Sequence, residues 1–433
     1  MTLTEKDPPA HKMTARVAGL RRCRALAFLT ALLVLVGVFE GVVPGVYQVR
    51  LLRTDVHCGR TASGDVSRQL QCLVSDYIGQ DPSVRNVELA VAKGDGSYAW
   101  AGSAGAAQPG GTPMTNDTPV YIASVTKIYI AATIMALAER KVLALGDPIA
   151  KYLPAGLVNG IDVYHGHDYS RQVTIRELVS MTSGIPDYYE ERGRDGKTMF
   201  EVFIGNPRRS WTVNEMINRA RTQLSAHFPP GTGVYYSDTG YQLLGKIIQN
   251  ATHRPLEAVL ADYIFRPLRL RHTWLVGTPK PRGAGSAAPA DVYYHTQNIT
   301  ATRSKDYWAD GGIITTAADM ITFLKALNEG RLVSRQSVHA MHTWRAWTGP
   351  SAPAPGVQYG YGLWHFKLPG PLGALTNVVP TWGIGGSTGS FLFYSQPLNL
   401  YIAGTVDSAS SPMTAYFLMG GAMSLVSGNE HSS

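Results

Sequence analysis

Charged residues are scarce in this sequence and cysteines scarcer. Only 16% of the 433 residues are charged while 45% are hydrophobic, which excludes a disordered, self-repelling chain. The three cysteines, Cys23, Cys58 and Cys72, belong to no Cys/His cluster with zinc spacing, and His165-Gly166-His167 stands in a polar loop as a chance pair, not a metal site. No cofactor motif and no internal repeat are present. Abundant glycine and proline (45 and 26) imply many loops, which suits an enzyme with an irregular rim around its site.

The net charge of +8 is unevenly spread. Residues 1–53 hold eight Lys/Arg against three acids, which leaves only +3 for the other 380 residues. A nucleic-acid partner is therefore not indicated, and the basic excess fits the positive-inside flank of an export signal. Behind Arg21, Arg22 and Arg24 runs an uncharged aliphatic stretch, Ala25 to Phe39. It is at the upper end of a signal-peptide core and short of the roughly 20 residues of a spanning helix. Glu40 and Pro44 interrupt its extension, and no clean small-x-small cleavage site follows. An uncleaved membrane anchor is favoured over a cleaved signal, and either places the remainder outside the cytoplasm. There Cys58 and Cys72 form a candidate disulfide, with two free thiols as the alternative.

The expected organisation is a basic flank and anchor over 1–50, a linker over 51–65, one catalytic unit over 66–428 and a tail over 429–433. Val87, Leu89 and Val91 alternate as a strand does, and the Gly94-Asp95-Gly96 turn leads into a second strand at Tyr98 to Ala101, forming a hairpin. Ile122 to Arg140 reads as a buried helix, apolar around most of its circumference. The middle is mainly helical, about 150–290, with capping boxes at Thr174/Glu177 and Thr212/Glu215 and a further helix start at Thr316/Asp319. Strands return at Tyr361–Phe366, Ser390–Ser395 and Leu400–Val406, followed by a helix over Met413–Val426. The fold class is α+β: an antiparallel sheet built from both ends of the chain and covered by helices, with an inserted helical subdomain.

Three motifs carry chemistry. Ser124-Val125-Thr126-Lys127 opens the buried helix, where backbone N–H groups favour developing negative charge. The i, i+3 spacing lets the Lys127 amine reach the Ser124 hydroxyl, which needs a base beside it to act as a nucleophile. Taken alone, the tetrapeptide reads more readily as a helix-capping serine with a solvated lysine. Next come Tyr236, at a loop edge before a helix, and Asp238, which by itself also reads as an N-cap. The third is Gly383-Ile384-Gly385-Gly386-Ser387-Thr388-Gly389-Ser390-Phe391, whose small residues let a substrate backbone approach a strand edge.

The order Ser-x-x-Lys, Tyr-x-Asn, Lys/His-x-Gly resembles the class C β-lactamase and D-alanyl-D-alanine carboxypeptidase family of serine hydrolases. Asp117-Thr118-Pro119, Thr182 to Asp187, Gly240 to Gly245 and Ala309 to Ile313 extend the likeness over about residues 68–408. The resemblance implies a Ser124 acyl-enzyme on an ester, amide or peptide, with proton transfer shared by Lys127 and Tyr236 in an order left open. It places the oxyanion between the backbone N–H groups of Ser124 and Ser387, with Gly385 and Gly386 beside the substrate. Two residues depart from the pattern. Asp238 replaces the amide with an acceptor-only carboxylate, which can hold Lys127 protonated. Ile384 replaces the cation that would hold a substrate carboxylate. Met181, where the pattern has His, reads as a packing change. Two functions follow: an acyl hydrolase favouring neutral esters or amides, or a catalytically silent binding protein on the same scaffold.

Overall fold

The computed structural model describes residues 65–281, 287–303, 307–347, 352, 356–366 and 379–428. The flank and apolar run over 1–50, Cys23, Cys58, the linker up to 64 and the tail 429–433 lie outside them. Among the described residues no helix is long and apolar enough to cross a membrane. Cys72 is disulfide-bonded, so the free-thiol alternative does not hold for it.

The strand at Val87 to Val91 forms as β1 (Asn86–Lys93) and pairs antiparallel with β2 (Ala99–Gln108) across the expected turn. The alternation had suggested one polar face, yet β1 is buried on both. It lies inside a nine-stranded sheet completed by β3 (Thr112–Pro113), β4 (Arg345–Ala346), β5 (Val357–Tyr359), β6 (Trp364–Phe366), β7 (Thr381–Gly386), β8 (Ser390–Ser395) and β9 (Leu400–Thr405). Their order is β4-β5-β6-β7-β8-β9-β1-β2-β3, so both ends of the chain meet where β9 pairs with β1. Helix α1 (Val66–Asp76) and the C-terminal helix α7 (Pro412–Gly428) cover one face, and α6 (Ala317–Asn328) covers the other. Glu88, on the α6 face, is buried because its Oε1 accepts the N–H of Ala317 at 2.9 Å, serving the start of that helix.

The glycine-rich third motif, expected to lead into a strand, itself lies partly in strand β7. Three glycines in six residues give it little intrinsic strand preference, and only its neighbours in the sheet hold it extended. The strand foreseen at Tyr361 begins at Trp364, because Gly362 has φ +71° and turns the chain first.

Between β3 and β4 the chain is mainly helical. Helix α2 (Thr126–Glu139) is buried at every position from Thr126 to Leu137, and each large aliphatic side chain so covered contributes about 1.5–3 kcal/mol. Helices α3 (Ile175–Val179) and α4 (Val213–Gln223) start with the expected capping boxes, and a third box opens Met199–Gly205. Helix α5 (Asp238–Thr252) packs against α2, α3 and α4. The segment Leu256–Phe265 starts as an α-helix over Leu256–Leu260 and changes to a π turn at Ala261.

Near this layer Asp162 is fully buried, with both carboxylate oxygens unpartnered. Burial, then Asp168 and Glu177, push its pKa up to about 7. A folded-state pKa above the unfolded one gives stability that is complete below about pH 4 and lost as pH rises through about 7. Asp162→Asn is therefore expected to raise the unfolding free energy at pH 8 by about 1–3 kcal/mol and to change it little at pH 4.5. Denaturant titrations at both pH values test this; an equal gain at each would reject charge burial as the cause.

Candidate active site

The turn that carries Ser124 is tied to its surroundings before α2 begins. Val120–Tyr121 pairs with Ile313–Thr315, and the N–H of Ile122 donates to Ile313 O at 3.2 Å. Thr388 Oγ1 donates to Tyr121 O and Ser390 Oγ to Ile122 O, each at 2.7 Å. Ala123 then takes φ +43°, a left-handed conformation that costs a non-glycine residue about 1–2 kcal/mol. A single 3-10 turn, Ala123–Val125, carries Ser124 to the start of α2 with its side chain half-buried.

One turn on, Lys127 is fully buried, which rules out a solvated lysine. Its Nζ donates to Ser124 Oγ at 3.0 Å and to the backbone oxygen of Asp310 at 2.7 Å, and it forms an ion pair with Asp238 Oδ1. The rings of Tyr236 and Tyr241 lie 5.0 and 5.5 Å from the same nitrogen. Tyr236 Oη donates to Ser124 Oγ at 2.7 Å. Burial first, then the Asp238 charge and Tyr359, push this phenol well above its ordinary pKa, so it acts as a donor at neutral pH.

Asp238 is not the N-cap of α5. Ser237 is, accepting the Gly240 N–H at 3.3 Å. Asp238 is the first helical residue, and its carboxylate is free to turn toward Lys127. Met181 does more than fill space. It has φ +58°, its sulfur accepts the Ser237 N–H at 3.2 Å, and its carbonyl accepts the Tyr235 N–H at 2.9 Å, so it holds the segment that presents Tyr236.

The third motif meets the turn that carries Ser124 through its backbone. A Cβ on Gly386 would lie 2.5 Å from Ile122 O and 3.1 Å from Ala123 Cβ, so only glycine lets β7 approach this closely. Ser387 opens the turn to β8, half-buried. Gly385 points the other way, toward Tyr416 of α7, and adds no side-chain space on the substrate side. Ile384 shares the Gly386 face but is fully buried, so it is a core residue and not an exposed substrate contact.

A beta-lactamase family profile matches residues 74–415. The chain belongs to the beta-lactamase family. Within it, the chain is 30% identical over 200 residues to Esterase EstB of Burkholderia gladioli, covering 45% of this chain and 46% of that protein. It is 26% identical over 232 residues to the D-alanyl-D-alanine-carboxypeptidase/endopeptidase AmpH of Escherichia coli K12, covering 53% and 54%. It thus spans about half the length of these curated relatives. The crystal structure of a D-stereospecific amidohydrolase from Streptomyces superposes with a TM-score of 0.61 at 26% identity, covering 79% of this chain and 94% of that one. The α+β fold foreseen from the residues is that of its family neighbours.

Several residues at the site escaped the motif reading. Asp310 turns its carbonyl to Lys127, while its carboxylate accepts from Tyr188 Oη at 2.6 Å and the Trp308 N–H at 3.2 Å. Asp187 accepts the N–H groups of Asp238 at 2.9 Å and Glu190 at 2.8 Å. Trp347 stacks on Tyr236, ring centroids 5.7 Å apart and 7° from parallel, and meets Tyr359 and Trp364 edge-on. Asp187 and Asp310 fall inside segments that carry the family likeness, but nothing local marks them as partners of Asp238 and Lys127. Trp347 lies far along the chain with no spacing signal.

Proposed function

We propose that the chain is a serine acyl hydrolase that works outside the cytoplasm and forms a Ser124 acyl-enzyme on neutral esters or amides. The observation that carries this reading is the convergence of Lys127 Nζ and Tyr236 Oη on one hydroxyl, 3.0 and 2.7 Å from Ser124 Oγ. Ser124 attacks the carbonyl carbon, and the carbonyl oxygen takes the negative charge between the backbone N–H groups of Ser124 and Ser387. Lys127 and Tyr236 move the proton from the serine to the leaving group, and water then resolves the ester. The family relatives' names, an esterase, a carboxypeptidase and an amidohydrolase, fit ester and amide chemistry. Location outside the cytoplasm is supported by the basic flank before the apolar run and by the disulfide of Cys72, a bond that reducing compartments disfavour.

The neutral-substrate preference rests on the third motif. Ile384 offers no charge to a substrate carboxylate, and Tyr236, Trp347, Tyr359 and Trp364 build an aromatic cluster beside the nucleophile. Loss of one charged hydrogen bond is worth about 1.5–3 kcal/mol. For a matched pair of esters, one ending in a carboxylate and one in its amide, kcat/KM is expected to favour the neutral member about 10- to 100-fold. A preference for the carboxylate would reject this part of the proposal.

The deciding experiment is intact-mass measurement and peptide mapping after a fluorophosphonate probe. The expected result is one adduct, on Ser124. A protein that forms no adduct and cleaves no activated ester would instead be the silent binding scaffold.

A further inference from the structure

The resting geometry leaves Ser124 without a ready base. An ammonium has three N–H donors, and Lys127 Nζ faces three acceptors: Ser124 Oγ at 3.0 Å, Asp310 O at 2.7 Å and the Asp238 carboxylate. With all three filled, no lone pair points at the serine. Tyr236, the other group on Oγ, is a phenol donating its own proton. Of the three acceptors around Nζ, the Asp310 carbonyl cannot keep a proton, and Ser124 is the group to be deprotonated. Asp238 remains.

Resting on the acyl-enzyme reading above, we propose that Asp238 takes one proton from Lys127 and holds it through the acylation step, so that the Lys127–Asp238 pair is the base that the lysine alone is not. Asp238 acts through Lys127 and is a positioning residue in that sense. Proton transfer converts ammonium and carboxylate into amine and carboxylic acid. The amine turns about its Cε–Nζ bond and presents its lone pair to the Ser124 hydroxyl. The Oγ–H bond breaks as the Oγ–C bond forms; the proton goes to Lys127 and the carbonyl π pair to the oxyanion. On collapse the bond to the leaving group breaks, and that group takes the proton from Lys127. Hydrolysis repeats the sequence with water as nucleophile and Ser124 as leaving group, and Asp238 finally returns its proton to Lys127.

The pair is shielded from water. Asp238 is almost fully buried, and its backbone is held by Asp187. The groups facing the pair are Asp187, Tyr188 and Glu190 from one loop, Asp310 from another, Tyr359 of β5, Tyr236 and, on α5, Tyr241. Burial, then the charge of Asp238, push Asp310 up to about 6 and Glu190 up to about 7. An amide at position 238 would leave Lys127 facing a neutral acceptor that cannot take its proton.

The test is the rate of fluorophosphonate acylation from pH 5 to 10 for wild type, Asp238→Asn and Asp238→Glu, each with a thermal melt. Asp238→Asn is expected to lose about 100-fold at pH 7, within the range of general-base catalysis, and to regain rate as pH rises and solvent takes the lysine proton. Asp238→Glu is expected to stay within about tenfold of wild type because a carboxylate remains. An Asp238→Asn rate equal to or above wild type at pH 7 would show that the carboxylate only restrains Lys127, and an equal loss at every pH would show a purely structural role. Either overturns the inference while the Ser124 adduct on wild type stands. A wild type that forms no adduct sinks the acyl-enzyme reading and this inference with it. If Asp238→Asn does not fold, Asp238→Glu decides: a pH profile within about tenfold of wild type is expected, and a loss on the order of 100-fold across the whole range overturns the inference.

Discussion

Ser124→Ala is expected to abolish covalent labelling and to lower ester turnover on the order of 10⁶-fold, the scale seen where nucleophile and base act as a unit. The hydroxyl is the shared acceptor of Lys127 and Tyr236, so its loss removes the covalent route and leaves both proton carriers without a target. What remains is binding and oxyanion stabilisation, which by themselves give only slow attack by water. Stability is expected to change by no more than about 1 kcal/mol, because Ser124 is half-buried and water can take up both donors. Turnover of a neutral ester and intact mass after the probe measure the first effect, and a denaturant titration the second. A variant that is folded and still turns over at the wild-type rate would place the chemistry elsewhere.

Removing the other half of the pair should cost both rate and stability, and the two can be separated. Lys127→Met is expected to slow acylation about 10²- to 10⁴-fold, as loss of a positioned base does. It also strands Asp238, 5% exposed, without its partner. An uncompensated buried carboxylate of this kind costs about 3–5 kcal/mol. The double change Lys127→Met with Asp238→Leu replaces the pair by apolar groups, and most of that stability should return because neither charge must then be kept from water. Activity should not return with it. Denaturant midpoints for the three proteins, beside their acylation rates, give the comparison. A double variant as unstable as the single one would mean that the ion pair is not what Lys127 supplies to the fold.

The local signals in this sequence were strong where one residue type does one job. Thr174 and Thr212 cap their helices as the spacing to Glu177 and Glu215 requires, since both partners lie within one turn. Ser124 and Lys127 meet because i and i+3 share a helix face whatever surrounds them. Signals weakened where distant segments decide. Strand β7 is rich in glycine and extends only because β6 and β8 flank it, and β1 buries Glu88 only because α6 covers it. Asp238 has the residue type of a helix cap but lies beside a buried lysine, and Ile384 occupies a cation's place in the motif yet turns out to be core.

By itself the sequence determined the α+β class, the order of the three motifs and the pairing of serine with lysine at a helix start. These depend on periodicity and on spacing within a turn, which the backbone imposes locally. Tertiary structure alone decided that Lys127 is dry, that Asp238 and the Asp310 carbonyl saturate it, and that Trp347 backs Tyr236. Those contacts join segments up to more than a hundred residues apart, and the charge a buried group carries depends on which partners packing brings within a few ångströms, where water no longer screens them.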